Sequence, residues 1–261
     1  VPVAGYVFGE AELITEQQAC MQACLDPITI EHLAALDVGP GWSCLEVGAG
    51  GGSIARWLGR QVGPGGHVLA TDLDTGRTDP GPDGPVQVRW HDITTDVLPE
   101  AAFDLVHARL VLLHLPQRLR ALAAMVRAVK PGGWLLLDEF DCTWMPVLAG
   151  HGQAVFARFH AALCAVLTEA GADIAWGSHA YAALAEQGMD RMGAAARAQA
   201  WPGGSTGSRW LQVNIAQLGG RLVATGLVSA GDLAELRELL DDPGFVVSSY
   251  LVVSTWGRRP G

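Results

Sequence analysis

Leu45-Glu-Val-Gly-Ala-Gly-Gly-Gly-Ser53 is the stretch that decides the fold. Its apolar lead-in, Ser43–Val47, reads as a short strand that ends in glycines. Ile54–Leu58 then opens a helix, Arg56–Val62 keeps helical spacing, and Gly63-Pro-Gly-Gly66 stops it. Glycines at such a turn permit positive φ and let a ligand come close to the backbone. Strand, glycine turn and helix in this order open a nucleotide-binding α/β unit, and Gly48-x-Gly50 with Ser53 is nearly a dinucleotide fingerprint.

Outward from the turn the pattern repeats. His67–Thr71 is a second apolar run with Asp72 directly after it, and residues 75–85 form a Gly/Pro/Asp loop. Val86–Trp90 reads as a third strand leading to His91-Asp92, and Phe103–Ala108 as a fourth. Pro116–Val129 has the spacing of an amphipathic helix, Pro131-Gly-Gly133 reads as a turn, and Trp134–Asp138 is a fifth, almost purely apolar strand. Continuous apolar strands alternating with helices predict a parallel sheet covered on both faces. Residues 16–36 read as two helical pieces broken by Pro27, and residues 1–15 carry little periodicity. Beyond residue 140 the spacing predicts helices over 151–170, 177–187, 206–225 and 230–241. It predicts a strand over 190–200 and one closing alternating run, Phe245–Thr255.

Three carboxylates narrow the ligand. Glu46 stands two residues before Gly48 at the carboxyl end of its strand, where it would repel a pyrophosphate and suit an ammonium or sulfonium centre. Asp72 ends the second strand, where its oxygens can accept both hydroxyls of a ribose. Asp92, after the third, is placed to accept from an adenine amino group. Asp104 lies at the amino end of the fourth strand and His107 inside it, so both read as structural, His107 as a satisfied core histidine.

Composition excludes several other classes. The 261 residues, 49% apolar, suit one α/β domain with insertions, and a net charge of −10 without any Lys/Arg run argues against nucleic acid. Lys130 is the sole lysine and sits in a turn, so Schiff-base chemistry is poorly supported. No apolar stretch is long enough to span a membrane, and no leader pattern opens the sequence, so a cytoplasmic enzyme is the expectation. Cys20, Cys24, Cys44, Cys142 and Cys164 read as buried free thiols. Cys20 and Cys24 have ligand-like spacing but no second pair, so no metal is expected.

Taken together, Glu-x-Gly-x-Gly-Gly-Gly, Asp72, His91-Asp-Ile93, Phe103-Asp-Leu-Val-His-Ala-Arg109 and Lys130-Pro-Gly-Gly133 resemble the class I S-adenosylmethionine-dependent methyltransferases. The likeness is greatest to the menaquinone-biosynthesis-type small-molecule branch and covers about residues 40–141. It implies a doubly wound, mostly parallel seven-stranded sheet of Rossmann-like methyltransferase type. It also implies an N-terminal helical cap over 1–36, a core domain over 37–261, and a helical substrate-cap insertion at about 142–189 after strand five. S-adenosylmethionine is the implied cofactor, leaving as S-adenosylhomocysteine. Gly48, Ala49 and Gly50 would back its methionine portion with Glu46 beneath. Asp72 would take the ribose, Leu73 would flank the adenine, Asp92 and Ile93 would hold its edge, and Arg109 would contact the methionine end. The Gly/Pro loop 75–85 departs from the family pattern.

Methyl transfer from a sulfonium is an in-line displacement for which proximity and dehydration supply most of the catalysis. Candidate acceptor-side groups are Arg109, His114, Asp138, Glu139, Asp141, His151 and His160, with Tyr6 on the amino-terminal segment; His160, Asp141 and Tyr6 are the catalytic candidates. Asp138-Glu139-Phe-Asp141 has a metal-like density of carboxylates, but Ala108-Arg109 stands where a metal-dependent relative would have another acid. The expected partner is a small apolar or aromatic acceptor, with a homodimer possible. Two alternatives stay open: a nicotinamide oxidoreductase, and a non-methylating protein of the same fold that holds the cofactor structurally.

Overall fold

The computed structural model describes residues 11–82 and 84–261. The chain opens with α1 (Ala11–Ala35), β1 (Ser43–Val47), α2 (Ser53–Val62), β2 (His67–Asp72), β3 (Val86–Trp90), β4 (Phe103–Arg109), α3 (Arg118–Ala128) and β5 (Val129–Asp141). It continues with β6 (Val147–Ala149), α4 (Gln153–Glu169), α5 (Trp176–Glu186), β7 (Asp190–Arg197) and β8 (Ala200–Pro202). Last come α6 (Thr206–Ala224), α7 (Ala230–Asp241), β9 (Val246–Ser248) and β10 (Leu251–Arg258). Two compact units result. One is Asp26–Phe140, Trp176–Ala196 and Val252–Gly261; the other is Val1–Leu25, Asp141–Ala175 and Arg197–Leu251.

The first unit is built on a seven-stranded sheet of order β3-β2-β1-β4-β5-β10-β7, in which β1 pairs parallel with β2 and β4, β2 with β3, and β4 with β5. Its central strands β1, β4 and β5 are largely apolar because both of their faces are buried. Leu45, Val47, Val106, Leu135 and Leu137 face a cluster with α3 and α5. Cys44, Val68, Ala70, Leu105 and Leu136 face the other, with Leu33 of α1 and Ile54, Leu58 and Val62 of α2. The second unit holds a small antiparallel sheet, β6-β9-β8, with α4, α6 and α7.

Several expectations need revision. Helix α1 begins at Ala11 and runs through Pro27 unbroken. Pro27 and Ala23, the residue whose carbonyl loses its partner, are both exposed, which leaves the freed carbonyl on the solvent side of the helix and lightens the cost of the proline. Lys130-Pro-Gly-Gly133 forms no separate turn. It lies inside β5 as an irregularity, the register to β4 jumping from Phe103↔Val129 to Leu105↔Trp134 with Gly132 at φ +79°. Its backbone pairs with the chain end instead, Gly132 N donating to Arg259 O at 2.8 Å and Arg259 N to Gly133 O at 2.9 Å. The closing run 245–255 is two strands in two sheets, parted at Ser249-Tyr250. The cap expected over 142–189 also divides. Helix α5 groups with the sheet, because Trp176, Ala180 and Leu184 are buried in one cluster with Leu112 and Leu113.

Candidate functional site

Strand order reverses between β1 and β4: from β1 the chain winds to β2 and β3 on one side, and it later returns to β4 and β5 on the other. Open α/β sheets bind ligands beyond the carboxyl ends of the strands at this point. The glycine turn stands there. Gly48, Gly50 and Gly52 take φ of +69°, +52° and +78°, which other residues adopt only with strain. Gly48 N and Ala49 N both donate to Thr71 O, at 2.8 and 3.0 Å, so the turn bends over the end of β2. A side chain has no room: a Cβ at Gly48 would lie 2.4 Å from Val111 Cγ2, and one at Gly52 2.4 Å from Asp79 O.

Asp72 joins the same turn. Its Oδ2 accepts Gly50 N at 2.8 Å and its Oδ1 accepts Asp74 N at 2.8 Å. Each oxygen keeps a lone pair, which fixes a two-oxygen acceptor beside the glycines. Leu73 follows, partly buried. The loop after β2, which departs from the family pattern, braces the turn: Thr78 Oγ1 donates to Gly50 O at 2.9 Å, and Arg56 Nη1 to Gly51 O at 3.0 Å and Asp79 O at 2.9 Å. Asp92 accepts Thr94 N and Thr94 Oγ1 at 2.8 and 2.6 Å, which stabilises its ionised form against burial and holds its carboxyl below the ordinary range. It therefore shapes the turn after β3, with Ile93 buried beside it. Both ring nitrogens of His91 are buried and have no partner among the described residues.

Beneath the turn lies a buried polar chain that sequence reasoning only half found. His107 is enclosed, its Nδ1 donating to Glu46 Oε2 at 2.7 Å and its Nε2 facing Asp138 Oδ2 at 3.2 Å. Ser254 of β10 donates to Asp138 Oδ1, and Thr29 of α1 is bonded to Asp138 as well. Burial by itself lowers the imidazole's affinity for a proton. The charge of Glu46 and the bonds to both carboxylates overcome that and hold it up at about 9. Asp138 is held below its ordinary value by the same imidazole and hydroxyls, against its burial. Arg109 continues the chain, pairing with Asp26 Oδ1 at 2.9 Å and donating to Thr29 Oγ1 at 3.2 Å, while Ser53 Oγ donates to Asp26 at 3.0 Å. The available signal was polar residues interrupting apolar strands: Glu46, His107 and Asp138 all share parity with the α1/α2 face.

The expected acceptor-side residues part company. Glu139 is fully buried and gathers the amides of Val111, Leu112 and Leu113 at 3.3, 2.8 and 3.3 Å; burial, against those amides, pushes its carboxyl up to about 8. Burial also pushes His114 down to about 4. Asp104 accepts Ser43 N and pairs with Lys130 Nζ, both at 2.8 Å, and so has the structural place expected of it. In the second unit, Asp141 Oδ1 accepts both Thr143 N, at 2.8 Å, and Thr143 Oγ1. His160 lies on α4 with Nε2 2.7 Å from Cys142 O and its ring stacked on Phe156 at 6.5 Å. Tyr6 lies outside the described residues. Among the described residues no group of His, Cys, Asp or Glu could hold a metal ion, and no helix is long and apolar enough to cross a membrane.

Comparisons with known proteins bear on the family and the fold. Residues 45–137 match the methyltransferase domain family Methyltransf_11. The methyltransferase str3 of Strobilurus tenacellus is 36% identical over 113 residues, 43% of this chain and 40% of that one. The ubiquinone/menaquinone biosynthesis C-methyltransferase UbiE of Ralstonia nicotianae is 31% identical over 160 residues, 59% of this chain and 63% of that one. The chain thus spans less than two thirds of the length of these curated relatives. A putative methyltransferase from Bacillus halodurans shares the fold, with a TM-score of 0.54 at 17% identity over 95% of this chain and 100% of that one. So does a phosphoethanolamine N-methyltransferase of Haemonchus contortus, solved with S-adenosylhomocysteine, with a TM-score of 0.52 at 18% identity over 85% of this chain and 50% of that one.

Proposed function

We propose that the chain methylates a small molecule with S-adenosylmethionine as donor, a reading supported by the match of residues 45–137 to a methyltransferase domain family. The observation that carries this is the glycine turn pinned to Asp72, an acceptor-rich corner with Glu46 two residues upstream. Such a donor set fits a ribose diol and an ammonium. It does not fit a pyrophosphate: Arg56, beside the turn, is bound to Gly51 O and Asp79, and Arg109 is paired with Asp26. The nicotinamide alternative is disfavoured on that ground. Asp72 receives the ribose hydroxyls, Gly48–Gly50 admit the thioether chain against bare backbone, and Leu73 with Asp92 and Ile93 borders the adenine. Arg109, tied to Asp26, holds the end of β4 in place.

When bound, S-adenosylmethionine supplies a methyl group already activated on a sulfonium. The protein's task is then to orient the acceptor, exclude water and, for an oxygen acceptor, receive a proton. We assign that last duty to His160. Its Nε2 faces a carbonyl, which only accepts, so Nε2 carries the hydrogen and a neutral ring keeps its lone pair on Nδ1. Asp141 is assigned to its turn, because its Oδ1 already takes both bonds from Thr143. Acceptor choice is assigned to residues outside 45–137, where the family match ends. An apolar or aromatic acceptor suits the Trp- and Phe-rich composition.

The test is a product assay with labelled methyl donor over a panel of small aromatic and quinone-like acceptors, paired with calorimetry of S-adenosylhomocysteine. Binding with transfer supports the proposal. Binding without transfer to any acceptor favours the non-methylating alternative, and no binding sinks both. His160→Gln should lower turnover about 10²-fold or more at unchanged cofactor affinity if the acceptor must lose a proton.

A further inference from the structure

Glu46, His107 and Asp138 sit on three adjacent strands, β1, β4 and β5, and their side chains share the α1/α2 face of the sheet. Both carboxylates can only accept, so an imidazole bonded to each must present a hydrogen from both of its nitrogens. His107 is therefore a two-armed donor. One arm is anchored on Asp138, itself fixed by Ser254 of β10 and Thr29 of α1. The other arm takes Glu46 Oε2 and sets where that carboxylate stands, two residues before Gly48. Two carboxylates against one imidazolium also leave this buried group one negative charge in excess, and the Arg109–Asp26 pair beside Thr29 is already neutral in itself. A buried negative charge left uncompensated suits a portion of a ligand that brings a positive group, such as an ammonium.

We propose that His107 is a positioning residue: donating to Glu46 and Asp138 at once, it aims Glu46 at the amino-acid portion of the cofactor and so sets affinity for that portion alone. This rests on the S-adenosylmethionine reading above. Raising the pH through the range in which His107 loses its proton releases one of the two carboxylates, because only one ring nitrogen then carries a hydrogen. The groups facing the ring are Glu46 from β1, Asp138 from β5, and the hydroxyls of Ser254 and Thr29 behind Asp138.

The experiment compares two ligands on three proteins by calorimetry at pH 7. S-adenosylhomocysteine has the amino-acid portion, and 5′-methylthioadenosine lacks it. His107→Gln keeps an amide near the Nε2 position and reaches Asp138 but not Glu46. His107→Asn keeps one near Nδ1 and reaches Glu46. Expected is a tenfold or greater loss of S-adenosylhomocysteine affinity in His107→Gln, substantial rescue in His107→Asn, and methylthioadenosine unchanged within twofold throughout. Equal losses for both ligands, or none, overturn the proposal. If the variants do not fold, nitrogen-15 NMR of the wild type decides. Two protonated ring nitrogens, with signals moved by S-adenosylhomocysteine and not by methylthioadenosine, support it, whereas a single protonated nitrogen overturns it. A wild type that binds neither nucleoside overturns the cofactor reading itself, a result distinct from either pattern in the variants.

Discussion

The two units solve the same problem, placing polar groups inside an apolar body, by different means. In the sheet unit the polar groups are positioned by strand register and by glycine backbone. Glu46 is level with His107, Thr71 O receives two turn amides, and Asp72 is bonded across 22 residues to Gly50. In the second unit they are positioned by side chains from distant stretches. Gln17 Nε2 donates to Asn214 Oδ1 at 3.0 Å across 197 residues, and Trp201, Trp210 and Tyr250 pack ring against ring. Backbone-built sites tolerate no added atoms, whereas side-chain-built ones fail through lost partners.

The comparison breaks most readily at the glycine turn. Gly48→Val should abolish cofactor binding, since it combines positive φ, costing about 1–2 kcal/mol, with a Cβ driven into Val111. Titration of the soluble variant with S-adenosylhomocysteine checks this. Full affinity would mean the turn is not the binding loop. Asp72→Ala comes next, weakening the same ligand by about 2–4 kcal/mol through two lost charge-assisted bonds and the release of Gly50 N and Asp74 N. An unchanged dissociation constant would remove Asp72 from the ribose.

The same difference explains what was legible. The order of β1 to β5, the glycine turn and the strand-end acids could be read because period, turn chemistry and strand-end position are local properties. The break at Ser249-Tyr250 was not local. It depends on Ser249 N donating to Gln199 O at 2.7 Å and Ser249 Oγ accepting Gln199 N at 2.8 Å, fifty residues away. Pro27 misled because its penalty falls on an exposed turn of helix, where it is lighter. Glu139 looked like a metal or catalytic carboxylate; nothing near it in sequence announces three amides at 111–113 as its partners.

Glu139 also gives the comparison a pH dependence. Its folded carboxyl, at about 8, binds a proton more tightly than the unfolded one, near 4.5. Between those values the folded state holds more protons, so this group's contribution to stability is greatest in acid and is lost as pH rises toward 8. Urea midpoints at pH 5, 6.5 and 8 should fall more steeply in the wild type than in Glu139→Gln, which has no proton to lose. Parallel profiles would mean the three amides hold Glu139 ionised throughout. His107 contributes a later loss: its folded value, about 9, exceeds the ordinary 6.5, so its share is complete below 6.5 and disappears as pH passes 9. A folded His107→Asn should lack that alkaline limb.

The smallest effect is expected at Asp141, and it sharpens the comparison in the second unit. Asp141 ends β5 with its carboxylate nearly buried, which invites a catalytic reading. Yet one oxygen, Oδ1, already accepts the amide and hydroxyl of Thr143, two residues on, the pattern by which aspartate closes a turn upon itself. An asparagine presents a carbonyl oxygen in the same position, so Asp141→Asn should keep both bonds and alter stability by less than about 1 kcal/mol. Turnover should stay within about threefold, against the roughly 10²-fold loss that removing a general base brings. S-adenosylhomocysteine affinity should not move. The measurement is initial rate on a methylated acceptor beside a thermal melt and a cofactor titration. A large fall in rate with melt and titration unchanged would return the negative charge of Asp141 to the chemistry and take from His160 the sole claim to the acceptor's proton. A fall in all three together would instead mark the Thr143 turn as the element that this unit's fold depends on.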